Sequence, residues 1–141
     1  MSRALLDVNV WLALSDSDHA SHAAAHEWFA REASDGWASC AITQNGFVRI
    51  VSNPSYPNAV APAEALTMLA SATSSGAHEF WHCDIELGSS IDTGHLLGHR
   101  QITDAYLLAL AVEHSGRFVT LDKSIPLQLV PGATPQHLVT I

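Results

Sequence analysis

Read for its apolar and polar positions, the chain alternates between two kinds of stretch. Short, mostly apolar runs without a regular in–out alternation mark strands buried on both faces. They fall at Leu5–Val8, Trp37–Ile42, Glu79–His82, Arg117–Leu121 and His137–Thr140. Between them the spacing predicts helices: Val10–Leu14; His19 to Ala33 behind an Asp18 cap; a segment capped by Thr43 that carries Phe47, Ile50 and Val51; Ala61–Ser71 with Pro62 near its start; a short Asp84–Ile91; and a strongly apolar Ile102–His114 ended by Gly116. Asp35-Gly36 closes the second helix, and Asn53-Pro54-Ser55-Tyr56-Pro57-Asn58 and Gly94–Gly98 read as loops. Strand and helix in alternation predict an α/β protein, a parallel sheet of about five strands between two helical layers. No repeat or linker interrupts the pattern, so residues 1–141 are expected to form a single domain.

One position breaks the apolar pattern. In Ala4-Leu5-Leu6-Asp7-Val8-Asn9-Val10-Trp11-Leu12-Ala13-Leu14 a single charge stands at the end of the first predicted strand. A carboxylate buried without a partner costs several kcal/mol or shifts its pKa upward. A hydrogen-bond network, a cationic side chain or a metal ion has to compensate for Asp7.

Two more acids fall at comparable places. Asp122 follows the strand Arg117–Leu121, and Asp104 opens the apolar helix that precedes that strand. Open parallel sheets bind ligands beyond the carboxyl ends of their strands, where strand order reverses. Each acid alone has a structural explanation: Asp104 as a helix-start residue, Asp122 as a turn residue. Together they put three carboxylates at one edge of the sheet, a donor set that suits Mg²⁺ or Mn²⁺.

Charge narrows the choice. Six Lys and Arg stand against fourteen Asp and Glu, a formal charge of −8. That excludes a protein that coats duplex nucleic acid with a basic face, and leaves room for a nuclease whose acids hold a cation. The scarcity of cations also points to a basic partner. Cys40 and Cys83 are not in zinc-ligand spacing and read as reduced, mostly buried thiols. No apolar run is long enough to span a membrane. The start MSRALLDVNV shows no signal peptide, so a cytoplasmic location is expected.

The segments Leu6-Asp7-Val8-Asn9-Val10-Trp11-Leu12, Ile42-Thr43-Gln44-Asn45-Gly46-Phe47-Val48-Arg49, Gln101-Ile102-Thr103-Asp104-Ala105-Tyr106-Leu107-Leu108-Ala109-Leu110-Ala111 and Thr120-Leu121-Asp122, in this order, resemble the PIN-domain ribonucleases, in particular the VapC toxins of bacterial toxin–antitoxin pairs. The resemblance covers almost the whole chain. It implies a three-layer α/β/α sandwich and a Mg²⁺- or Mn²⁺-dependent endoribonuclease acting on structured RNA such as tRNA or rRNA. It further implies neutralisation by a cognate VapB-type antitoxin. Asp7 and Asp104 are then the main metal ligands, Asp122 a further acid, and Asn9 a residue that orients Asp7 or a water. The family usually places a glutamate early in the helix after the second strand. Here Thr43-Gln44-Asn45-Gly46 has no acid, and Gln44 or Asn45 has to stand in without charge. Weaker ion binding follows, with a catalytically weak RNA- or antitoxin-binding module as the second reading.

Competing folds fit less well. A haloacid-dehalogenase-type phosphatase needs a second acid where Asn9 stands, a receiver domain needs paired acids at the first strand, and a dinucleotide binder needs a glycine-rich turn there. His19, His22 and His26 share the spacing of one helix face, but without a fourth ligand they read as a solvated face rather than a zinc site. His95 and His99 read as loop residues. Arg49 and Arg100 are surface cations or phosphate contacts. Trp11, Trp28, Trp37 and Trp81 belong in the core or at an interface. Trp11, Leu12, Leu14, Trp28 and Phe29 offer more apolar surface than one small core absorbs, which a second copy or an antitoxin helix could cover.

Overall fold

A computed structural model of the chain describes residues 2–33 and 36–141. Five strands, β1 (Ala4–Leu6), β2 (Trp37–Cys40), β3 (His78–Trp81), β4 (Arg117–Thr120) and β5 (Leu138–Thr140), form one sheet in the order β3-β2-β1-β4-β5. All four pairings are parallel. Six α-helices join them: α1 (Val8–Ser15), α2 (His22–Glu32), α3 (Ala41–Val51), α4 (Pro62–Thr73), α5 (Leu87–Ser90) and α6 (Ile102–Glu113). The chain runs outward from β1 to β2 and β3, then returns to lay β4 on the other side of β1. Strand order therefore reverses between β1 and β4, which is where such sheets bind ligands.

The central strand has only three residues and is the most enclosed. Ala4, Leu5 and Leu6 are at most 1% exposed. Alternation along β1 and β2 divides their side chains between two cores. Leu5, Ala38 and Cys40 join α6, Phe118 and Leu129 on one face; Ala4, Leu6 and Trp37 join α1, α2 and α3 on the other. Ala105 through Ala111 of α6 are all buried, as expected of a helix apolar on every side. The four tryptophans are all in the core, none more than 6% exposed.

Several expected boundaries move, each for a local reason. β1 stops at Leu6 because Asp7 caps α1, with its carboxylate accepting from Val8 N–H. α2 begins at His22 rather than His19; Asp18 is not its cap, and its carboxylate accepts from Asn58 instead. Thr43 does not cap α3 from outside. It sits in the first turn, accepting from Cys40 N–H and donating back to the Cys40 carbonyl, so the helix starts at Ala41. The segment expected to be helical from Asp84 is so only over Leu87–Ser90. Within the loop Gly94–Gly98, residues from Thr93 form one 3₁₀ turn. Asp35, expected to help end α2, lies outside the described residues. Cys40 is buried as expected, whereas Cys83 is exposed.

The three histidines do not form a common face. His19 precedes α2 and its Nδ1 accepts from Ser21 N–H. His22 Nδ1 and His26 Nε2 bond the Ala13 and Leu14 carbonyls at 2.7 and 2.9 Å. They satisfy carbonyls at the end of α1 that its own helix leaves without donors.

The stop after α6 separates two roles that glycine usually combines. Ser115 takes the left-handed conformation, at φ 54°. Gly116 is there for close approach: a Cβ on it would come within 2.5 Å of the Trp81 ring and 2.7 Å of the Arg3 carbonyl. The Trp81 ring is itself stacked on His114, at 4.4 Å between centroids. Gly116→Ala is expected to destabilise the protein by about 1–3 kcal/mol, the usual cost of overpacking. Urea unfolding checks this, and an unchanged midpoint would contradict it.

Candidate active site

The site is built where β1 and β4 end side by side. Asp7 follows β1 and is 9% exposed. One carboxylate oxygen accepts from Val8 N–H at 2.7 Å, the other from Thr120 Oγ–H at 2.7 Å. Thr120, the last residue of β4 and fully buried, is the hub of the arrangement. Its hydroxyl oxygen also accepts from Asn9 Nδ2 at 3.2 Å and from Asp122 N–H at 3.0 Å. Asn9 Oδ1 in turn accepts from Leu121 N–H at 3.1 Å. Asn9 thus ties the start of α1 to the end of β4, and reaches Asp7 through Thr120 rather than directly.

Asp104 enters from the first turn of α6 and Asp122 from the turn after β4. Both line a cleft of about 190 Å³ together with Arg100, Gln101, Ser124 and Ile125. Burial pushes the Asp104 carboxyl up to about 6, with the charges of Asp7 and Asp122 adding to the rise. Burial likewise holds Asp7 above the usual carboxylate range, against the opposing bonds from Thr120 and Val8. Asp122 goes the other way: Ser124 Oγ–H and N–H both donate to its Oδ1, at 2.6 and 2.8 Å, and hold it below that range. The three acids are therefore within electrostatic reach of one another. Among the described residues none of them forms an ion pair with a Lys, Arg or His side chain.

The donor set fits a hard divalent cation in chemistry: carboxylate oxygens, clustered, without a protein counter-charge. It is not closed around one point. Among the described residues, no three acids, imidazoles or thiols stand close enough to share an ion. Asp122, folded back onto Ser124, is the member turned to other partners.

Gln44 lies on the first turns of α3, and its Nε2 donates to Ser39 Oγ at 3.0 Å. Ser39 Oγ shares a 2.7 Å hydrogen bond with His78 Nε2. Neither Gln44 nor Asn45 lines the acidic cleft, and Asn45 is exposed. Arg100 is at the cleft, whereas Arg49 is exposed at the end of α3. His95 and His99 are exposed, His95 on the Asp92 carboxylate.

Sequence reasoning missed Thr120 and Ser124. The signal was present: a polar residue closing an otherwise apolar strand, followed by Asp122 and Ser124 in Asx-turn spacing. It missed Gly46 as well, where a Cβ would come within 2.7 Å of Val8 Cγ2. That glycine lets α3 pack onto the residue next to Asp7.

Comparison with known proteins agrees with this architecture. The PIN-domain family model matches residues 4–127. The chain is 57% identical over 141 residues to ribonuclease VapC44 of Mycobacterium tuberculosis, covering 99% of each chain. It is 46% identical over 125 residues to ribonuclease VapC39 of the same organism, covering 86% of this chain and 90% of that one. The chain belongs to the PIN-domain family, among its VapC-type ribonucleases. Solved structures of similar fold include M. tuberculosis VapC20, described as a Sarcin-Ricin loop cleaving toxin, with a TM-score of 0.60 at 12% identity over 81% of this chain and 85% of that one. A second is Rickettsia felis VapBC2 bound to a promoter DNA fragment, with a TM-score of 0.55 at 16% identity over 90% and 95%.

The raised Asp104 pKa has a stability consequence. An acid whose folded pKa exceeds its unfolded value loses folding free energy as pH rises from the unfolded value to the folded one. For Asp104 that window runs from 3.8 to about 6. Asp104→Asn is therefore expected to raise the melting temperature of the metal-free protein at pH 7.5, and to raise it less at pH 4.5. Calorimetry at the two pH values measures it; an equal shift at both, or a loss at pH 7.5, would contradict the like-charge crowding.

Proposed function

We propose that this protein is a Mg²⁺- or Mn²⁺-dependent endoribonuclease toxin of the VapC type, acting in the cytoplasm and neutralised by a VapB-type antitoxin. The observation that carries the reading is that Asp104, at the β1–β4 switch point, feels the charges of Asp7 and Asp122 with no ion pair to any of the three among the described residues. Family membership supports it: relatives that align along nearly the whole chain are named ribonucleases.

Asp7 and Asp104 would hold the cation, and Asp122 would complete the cluster by giving up part of its hold on Ser124. When bound there, the ion supplies Lewis acidity, lowering the pKa of a water and screening the phosphate. The chain's own residues do the rest. Thr120 fixes the Asp7 carboxylate, and Asn9 fixes Thr120. Arg100, at the rim, is placed to meet a backbone phosphate. Asp122 or Asp7 would orient the attacking water. Gln44, at the position of the family's usual glutamate, does not line the cleft, and its amide is held by Ser39. Its engagement with Ser39 favours the second reading, a weakly catalytic module on the same fold.

For the antitoxin, an apolar hollow of about 410 Å³ lies across the sheet, lined by Trp11, Leu14, Phe29, Trp37, Phe47 and Met68. It is our candidate seat for an amphipathic antitoxin helix. A homodimer is part of the proposal, and a monomeric sedimentation profile at micromolar concentration would count against it.

Asp7→Asn is expected to abolish Mn²⁺-dependent cleavage of tRNA and rRNA while leaving the far-ultraviolet circular dichroism unchanged, and EDTA is expected to stop the wild-type protein. Cleavage by the variant at the wild-type rate would overturn the assignment. RNA gel shifts without cutting by the wild type would establish the second reading instead.

A further inference from the structure

Asp122 differs from the other two acids in how it is held. Its main chain is tied to the hub of the site, with its N–H donating to the Thr120 hydroxyl at 3.0 Å. Its carboxylate is held separately, by Ser124 alone. Ser124 donates to Oδ1 twice, from Oγ–H at 2.6 Å and from N–H at 2.8 Å. Among the described residues, no hydrogen bond reaches Oδ2. The main chain of Asp122 is thus fixed beside Asp7, while its side chain has a choice between the local turn and the other acids.

The hydroxyl bond is the part of this hold that the Ser124 side chain adds. Ser124 is exposed, so water could satisfy its hydroxyl. It is engaged by Asp122 instead, at a length typical of an O–H donor on an ionised carboxylate. Both residues line the acidic cleft with Asp104.

The electrostatics of the site say what the hold does. The charge of Asp122 already reaches Asp104 and Asp7, adding to the rise of both. Repulsion between like charges grows as they approach. With Oδ1 drawn onto Ser124 the three carboxylates stay apart, and among the described residues no three acids stand close enough to share an ion. The same bonds oppose any arrangement that needs Asp122 beside the other two, because a charge-assisted bond has to be given up first.

We propose that Ser124 is a positioning residue that holds Asp122 back from Asp7 and Asp104, stabilising the ion-free site and setting the concentration of cation needed to close it. The inference rests on the ribonuclease reading and adds to it a control on ion affinity. The other role open to Ser124 is local, a turn that shapes the loop after β4. The two roles differ in sign. Weakening a turn that merely supports the site lowers stability and ion affinity together. Releasing Asp122 lowers the stability of the ion-free protein and raises its ion affinity.

The test uses the full chain, stripped of metal with EDTA and dialysed, with Mn²⁺ alone as the probe in titration calorimetry. Ser124→Ala is expected to bind Mn²⁺ about 10-fold more tightly than wild type, near the low end for one hydrogen bond to a charged group. Without Mn²⁺ it is expected to melt at a lower temperature than wild type. Ser124→Thr, which keeps the hydroxyl, is expected to restore both properties. The position is open to solvent, and circular dichroism checks that each variant is folded. Ser124→Ala binding Mn²⁺ no more tightly than wild type, or Ser124→Thr behaving as the alanine variant does, would overturn the positioning role and leave the ribonuclease reading intact. Failure of all three proteins to bind Mn²⁺ at millimolar concentration would overturn the metal-dependent reading and the inference with it. Binding that Asp104→Asn leaves unweakened would put the ion elsewhere and overturn both.

Discussion

The hydrogen bond from Thr120 Oγ to the buried Asp7 carboxylate is the contact on which the site depends. It joins β4 to the start of α1 across the sheet's switch point, at 2.7 Å. Asp7 receives one other hydrogen bond, from Val8 N–H, and the favourable field at the start of α1. Bonds to a charged group contribute about 1.5–3 kcal/mol each, against a cost of several kcal/mol for burying the charge. The compensation is incomplete. Burial still holds Asp7 above the ordinary carboxylate range, and Asp7 in turn helps push Asp104 to about 6. A divalent cation is the partner that would close this balance, which is why the uncompensated charge, rather than the fold alone, argues for a metal-dependent chemistry.

The fold supplies that placement with few residues. A three-residue central strand leaves no room for the carboxylate inside the sheet, so Asp7 emerges at once where α1 begins. The return of the chain to the other side of β1 brings Thr120 and Asp122 alongside. α6, buried from Ala105 to Ala111, fixes the direction from which Asp104 arrives. Close approach at Gly46 sets α3 against Val8, next to the same carboxylate. The acids are thus positioned by the most enclosed elements of the molecule, while the surfaces that would meet RNA lie on loops and first turns.

Much of this was legible in the residues. Apolar runs separated by helical spacing announce a parallel α/β sheet, and a lone Asp in ALLDVNVWLAL announces a compensated charge. The acids could be expected at one end of the sheet because each falls just past a strand or at the head of the helix leading into one; they act on one another's charge there, while among the described residues no three stand close enough to share an ion. The finer geometry was not legible, for physical reasons. Thr43 satisfies the cap criterion equally well at the first turn and outside it, and only packing decides. Ser124 competes for Asp122 through a local turn whose strength depends on backbone angles. His22 reads as solvated because the carbonyl it bonds belongs to another helix, whereas His26 is exposed as expected. Gln44 looks like a stand-in for an acid until Ser39, on the neighbouring strand, is seen to hold its amide.

A crystal soaked in Mn²⁺ and measured for anomalous scattering tests the central claim most directly. The account predicts an anomalous peak coordinated by the carboxylates of both Asp7 and Asp104, with Asp122 drawn toward it and its bonds to Ser124 lengthened. A fully soaked crystal with no peak between those two side chains, or with its manganese held elsewhere, would contradict it.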